Sequence, residues 1–134
     1  MAREITTTGS KKVSTLMKEF NEHFPYLRLR LYKPEVKKAI TEGASSLIEY
    51  RVDIEKTLSE VRTKKGTGTA SFTGSKNVST VEREFESIFG LYAQICYTSA
   101  DGGMWATMGD EDKKSLSELN REKATEGCLK DQWK

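Results

Sequence analysis

No apolar run in this chain approaches the roughly 20 residues that a helix needs to cross a bilayer. Its opening residues, MAREITTTGSKK, also lack the apolar stretch of a signal peptide. A soluble, cytoplasmic protein with no membrane partner is expected. Cysteine is scarce: Cys96 and Cys128 are far apart in the chain, which excludes the close pairing of zinc and redox motifs and predicts two reduced thiols. The lone histidine, His23, has no acid or nucleophile placed with it, as a general base requires. It stands beside Phe24 in a helical pattern, so a partly buried structural histidine is expected. Neither sign of charge is in excess. The 22 basic and 20 acidic residues leave a net charge of +2, which argues against a protein dominated by phosphate contacts. The Gly-x-x-x-x-Gly-Lys-Ser/Thr spacing of a phosphate loop is missing, and the loop SADGGMWATMGDED (99–112) lacks the alternating oxygens and final glutamate of an EF-hand. No catalytic residue, metal or cofactor is therefore assigned.

What is present is a repeat. The phrase TGSKKVST at 8–15 returns as TGSKNVST at 73–80, and at the same offset of 65 Glu19, Phe20 and Phe24 meet Glu84, Phe85 and Phe89. Later, EKTLSEVR (55–62) corresponds to KKSLSELN (113–120) at an offset of 58. Two copies are too few for a solenoid, so this pattern predicts a tandem duplication packed as one pseudo-symmetric domain over 1–134. Repeat 1 covers about 2–64, repeat 2 about 67–123, and a tail follows from 124 to 134. With 134 residues, 36% hydrophobic and 31% charged, the chain has enough apolar material for one core without staples.

Each copy changes period in the same order. Thr-rich, β-branched stretches at 3–8 and 67–73 read as short strands. Val13, Leu16, Phe20 and Phe24, like Val78, Val81, Phe85 and Phe89, then fall on one helical face. Ser79 with Glu82 is expected to form a capping box and Ser14 to cap the first helix, with the helices ending near Pro25 and Gly90. YLRLRLY (26–32) alternates, so Leu27, Leu29 and Leu31 face a core and Arg28 and Arg30 face away. Aligning these leucines with Leu91, Ala93 and Ile95 requires an offset of 64, hence one extra residue near Pro25. Asp101-Gly102 marks a hairpin between ICYTS and MWATM. Its counterpart is a strand at SSLIEYRV (45–52), after a short helical excursion from Pro34. KKGTG (64–68) joins the copies through a turn or flexible joint.

The expected fold is α+β: two β-α-β-β-α units, with a mostly antiparallel sheet covered by helices on one face. Gly-x-x-x-Val, a helix closing in Phe-Pro or Phe-Gly, an alternating strand and a late Thr/Ser-Leu helix, each present twice, resemble a tandem-repeat α+β domain of uncharacterised bacterial proteins. The resemblance spans roughly Thr8 to Leu119 and implies a fold without implying an activity.

The expected function is a non-enzymatic binding or protein-interaction module with a protein partner or a second copy. Trp105 and Trp133 are the candidate partner surface, and Met108 joins Trp105 as a residue for the core or that surface. The alternative is single-stranded nucleic-acid binding by Tyr26, Arg28, Arg30 and Tyr32, flanked by Lys33, Lys37 and Lys38, because cations interleaved with aromatics can neutralise phosphates and stack bases. Lys11, Lys12 and Lys76 stand where a strand meets a helix N-terminus, a place that either binds an anion or simply caps a helix. The tail is expected to be disordered or to dock through Leu129 and Trp133.

Overall fold

The structure, a computed structural model, describes residues 5–7, 9–65, 70–107 and 109–133, with the backbone alone at Thr6. Thr8, Met108 and residues 66–69, which include 66–68 of the expected KKGTG joint, lie outside this description.

The fold is α+β. Strand β1 (Ile5–Thr6) is followed by α1 (Val13–His23), β2 (Arg28–Tyr32), α2 (Val36–Thr41), a 3₁₀ turn (Ile48–Tyr50) and α3 (Leu58–Val61). Then come β3 (Ser71–Phe72), α4 (Val78–Phe89), β4 (Tyr92–Thr98), β5 (Met104–Ala106), a second 3₁₀ turn (Gly109–Lys113) and α5 (Leu116–Thr125). The strands form two antiparallel sheets, the pair β1–β3 and the triple β2–β4–β5, where a single larger sheet was expected.

The leucines face the core as expected. Leu29 lies opposite Ile95 and Leu31 opposite Ala93 in the antiparallel pair, and all four are buried. Helices α1 and α4 pack on β2 and β4 respectively, and their Phe20 and Phe85 rings are fully buried. Phe72 from β3 stands between them, 5.4 Å from Phe20 and 6.0 Å from Phe85 between ring centroids. The small β1–β3 sheet thus closes the core between the two long helices. Helix α4 ends at Gly90, whose φ of 67° is the left-handed cap expected of glycine, and α1 ends just before Pro25. The Asp101-Gly102 hairpin forms, with the Ser99 amide donating to the Gly103 carbonyl at 2.8 Å.

Three local expectations need correction. Residues 45–52 form no strand: they carry the 3₁₀ turn and a single bridge from Arg51 to Tyr32, so among the described residues two strands precede residue 65 and three follow it. Ser14 and Ser79 lie inside their helices and cap nothing, because α1 and α4 begin at Val13 and Val78, behind Lys12 and Asn77, with no side-chain cap. The caps lie instead on the late helices, where Thr57 and Glu60 form a reciprocal capping box and Ser115 accepts from the Glu118 amide. The signature was written in TLSE and SLSE.

The helix starts are tied to each other in pairs. Val13 N donates to Lys56 O at 2.9 Å and Leu58 N to Lys11 O at 3.0 Å; Val78 N donates to Lys114 O at 3.0 Å and Leu116 N to Lys76 O at 2.9 Å. Ser59 N and Ser117 N donate to Gly9 O and Gly74 O at 2.9 and 3.0 Å. A Cβ on Gly9 or Gly74 would lie 2.2 or 2.0 Å from the Oγ of Ser59 or Ser117, so either serine side chain would have to turn aside to admit one. Its lysine also has one task in each copy: Lys11 pairs with Glu19 at 2.6 Å and Lys76 with Glu84 at 2.7 Å. Thr57→Ala, which removes the capping box at this junction, is expected to cost about 1 kcal/mol in chemical denaturation. An unchanged midpoint would mean that the backbone bonds alone hold the α3 start.

The tail docks. The Leu129 amide donates to Thr98 O and the Asp131 amide to Pro25 O, both at 2.8 Å. Trp133 packs against the core with the Lys18 ammonium 4.9 Å above its ring, whereas Leu129 stays exposed. Lys123, buried on α5, is held by Glu111 at 2.5 Å and Glu126 at 3.2 Å and lies 4.0 Å over the Tyr97 ring. No helix among the described residues is long and apolar enough to cross a membrane.

Candidate functional site

Alternation places Arg28, Arg30 and Tyr32 on the face of β2 opposite the leucines, and the register sets them beside Cys96, Gln94 and Tyr92 of β4. On β5, Met104 and Ala106 share that face through their pairing with Thr98 and Cys96. This face was expected to meet solvent, but it does not. Arg28 and Arg30 are each 7% exposed and Tyr32 is 3% exposed. The chain from α2 through the 3₁₀ turn comes back across it, fixed by Lys33 N donating to Tyr50 O at 2.7 Å and Val52 N to Leu31 O at 3.3 Å. The residues expected to form a fourth strand therefore act as a cover.

Beneath the cover the polar groups form a compact cationic cluster. The Arg28 guanidinium donates to Thr98 Oγ1 at 2.6 Å and to Met104 Sδ at 3.3 Å. Arg30 Nη2 donates to the same sulfur at 2.9 Å, and the Tyr32 hydroxyl donates to Gln94 Oε1 at 3.3 Å. Burial, followed by the mutual repulsion of Arg28, Arg30 and Arg51, lowers the pKa of both buried guanidinium groups. Burial also raises the Tyr32 phenol, and it pushes the Cys96 thiol up to about 11 against the partial opposition of the arginines. Cys96 is thus a protonated thiol at neutral pH rather than a nucleophile. A cavity of about 340 Å³, lined by Tyr32, Ser46, Leu47, Ile48, Arg51, Gln94, Cys96, Met104 and Ala106, opens between the cover and the sheet.

The other expected site residues scatter. Tyr26 is half-buried, and its amide donates to Asn120 Oδ1 at 2.9 Å. Lys33, Lys37 and Lys38 are exposed, with Lys37 paired to Glu86 and Lys38 to Glu42. Lys11 and Lys76, each two residues before its helix, pair with Glu19 and Glu84 as described above, and Lys12 lies exposed on the bridge to Thr57. The amides that an anion would use at the paired helix starts donate to carbonyls instead, so those turns serve to join helices. His23 Nδ1 donates to the Glu19 carbonyl at 2.9 Å, a structural bond on its own helix. Trp105 is 52% exposed on the edge strand β5 next to Met104 at 44%, with its indole N–H donating to Ser99 Oγ at 3.3 Å.

Sequence reasoning missed two groups. Arg51 joins the cationic cluster across the cover, a tertiary contact with no local signal. Glu82, expected to cap a helix, is half-buried on α4, and the pKa of its carboxyl rises to about 7 through desolvation and then repulsion by Asp112, opposed by a hydrogen bond from the Ile95 amide. Among the described residues no three His, Cys, Asp or Glu side chains converge as metal ligands do. Compared with protein-family models, with curated proteins and with solved structures, the chain matches none.

Proposed function

We propose that the chain is a duplicated α+β unit acting in the cytoplasm as a non-enzymatic interaction module, and that it pairs with a second copy of itself through the free edge of β5. The observation that carries this reading is the exposed Met104–Trp105 pair on the last strand of the β2–β4–β5 sheet. An edge strand offers unpaired backbone groups, and an antiparallel β5–β5 contact is self-complementary about a two-fold axis. A large aromatic exposed at such an edge is the kind of side chain that anchors protein interfaces. The duplication is supported by the matching hydrogen bonds and ion pairs at 9–13 with 56–59 and at 74–78 with 114–117. It also agrees with the resemblance to the tandem-repeat α+β domain.

Light scattering over a concentration series tests the reading. The expected result is reversible self-association that Trp105→Ala abolishes without changing the thermal midpoint. A protein that remains monomeric up to its solubility limit would overturn it.

The second reading, single-stranded nucleic acid, retains the exposed Lys33 and Lys38 beside a face whose arginines are covered. Reversing the buried Arg28 or Arg30 would disturb the fold, so the informative variant is Lys33→Glu with Lys38→Glu. Steeply salt-dependent anisotropy of a labelled single strand, lost in that variant, would favour nucleic acid over self-association.

A further inference from the structure

We propose that a second cavity, between the Tyr32–Arg51 bridge and α3, binds the phosphate group of a small phosphorylated molecule through Lys33, Arg51 and Lys56. These cations come from separate places in the chain: Lys33 follows β2, Arg51 closes the cover and Lys56 stands before α3. All three line one cavity of about 390 Å³, within the range of small-molecule sites. Backbone hydrogen bonds fix where the three segments meet. Lys33 N donates to Tyr50 O at 2.7 Å, Val52 N to Leu31 O at 3.3 Å, and Val13 N to Lys56 O at 2.9 Å. The Arg51 side chain is placed further by a hydrogen bond to the Tyr32 phenol oxygen.

The lining does not balance its own charge. Among the described residues no carboxylate lies within ion-pair distance of Lys33, Arg51 or Lys56. The two acids of the same wall are engaged locally: Asp53 Oδ1 accepts from the Glu55 amide at 3.0 Å, and Glu60 Oε1 from the Thr57 amide at 3.0 Å and the Thr57 hydroxyl at 3.1 Å. Arg51 also stands against the repulsion of the buried Arg28 and Arg30. An anion beside Arg51 would offset that repulsion without touching either of them. Three cations brought together from three segments suit a tetrahedral group with several charged oxygens, whereas a planar carboxylate is satisfied by one guanidinium fork. Val52 and Val61 supply an apolar part of the wall, against which the rest of a small molecule can lie.

Calorimetric titration of the full chain with sodium pyrophosphate or citrate, at ionic strength held constant with sodium chloride, tests the proposal. Pyrophosphate should bind saturably at one site per chain and more tightly than citrate. Arg51→Gln and Lys56→Gln, both at exposed side chains, should each weaken pyrophosphate binding by about tenfold or more without moving the thermal midpoint. Lys38→Gln, outside the cavity and paired with Glu42, should bind like the parent protein. The proposal fails if pyrophosphate gives no saturable heat, if citrate binds as well, or if Arg51→Gln binds like the parent. It fails too if Lys38→Gln loses as much as Lys56→Gln, which would mean diffuse charge attraction. Displacement of pyrophosphate by a lower concentration of a single-stranded oligonucleotide would assign the cavity to a nucleic-acid backbone and overturn the small-molecule reading.

Discussion

Phe85→Ala is expected to lower the stability of the protein by about 3–5 kcal/mol. The ring is fully buried on α4, 4.8 Å from Phe89 and 6.0 Å from Phe72 between centroids. Truncation would remove its apolar burial and leave a void in the middle of the aromatic row that joins α1, β3 and α4. Close-packed cores relax only partly around such a void, so the loss exceeds the transfer free energy alone. Phe85→Leu, which keeps most of the volume, should cost clearly less, and Ser87→Ala on the exposed side of the same helix should change the midpoint little. For a domain of this size the alanine variant should melt on the order of 10–20 °C lower. A shift of about 2 °C or less would show that the aromatic row is not the core.

Glu82→Gln should stabilise the protein at alkaline pH and have little effect in acid. The carboxyl is raised from an ordinary value of 4.5 to about 7, first by burial and then by Asp112, one of whose carboxylate oxygens is itself buried without a hydrogen-bond partner. Tyr92 of β4 and Lys37, Arg83 and Glu86 line the same recess. Because the folded state holds this proton more tightly than the unfolded chain, the folded state binds more protons between pH 4.5 and 7, and stability falls as pH rises through that window. The penalty is complete above about pH 7 and amounts to at most about 3 kcal/mol. Glutamine mimics the protonated acid, so the variant should match the parent protein at pH 4.5 and exceed it at pH 8. Denaturant titrations of both proteins at the two values measure the difference, and parallel pH profiles would show that Glu82 is hydrated. This slope is opposite in sign to that of Glu122, whose pKa is lowered by its bond from Lys114.

Particular residues show how far the chain could be read without its structure. Leu27, Leu29 and Leu31 alternate with polar neighbours, and a period of two assigns them to one sheet face whatever lies beyond it. Phe20 and Phe85 are legible in the same way, since a helical period concentrates apolar groups on one stripe. Gly90 and the Asp101-Gly102 turn follow from local backbone chemistry. The helix starts were misplaced because serine is a strong cap in isolation, yet here the amides of α1 and α4 are satisfied by carbonyls some 40 residues away in sequence. Residues 45–52 resemble a strand by composition, but with no partner beyond Tyr32 they close as a 3₁₀ turn.

The candidate site divides along the same line. Alternation by itself determined that Arg28, Arg30 and Tyr32 share one face of β2, and the two TGSK phrases by themselves marked which residues match in sequence. Only the tertiary structure decided that this face is covered, that Arg51 joins it and that a cavity remains between cover and sheet. Periodicity records which way a side chain points relative to its own backbone. Whether water or another segment lies in that direction depends on the path of residues 33–52 across the sheet, and that path is set by long-range hydrogen bonds such as Lys33 to Tyr50 and Val52 to Leu31, which leave no mark in a local pattern.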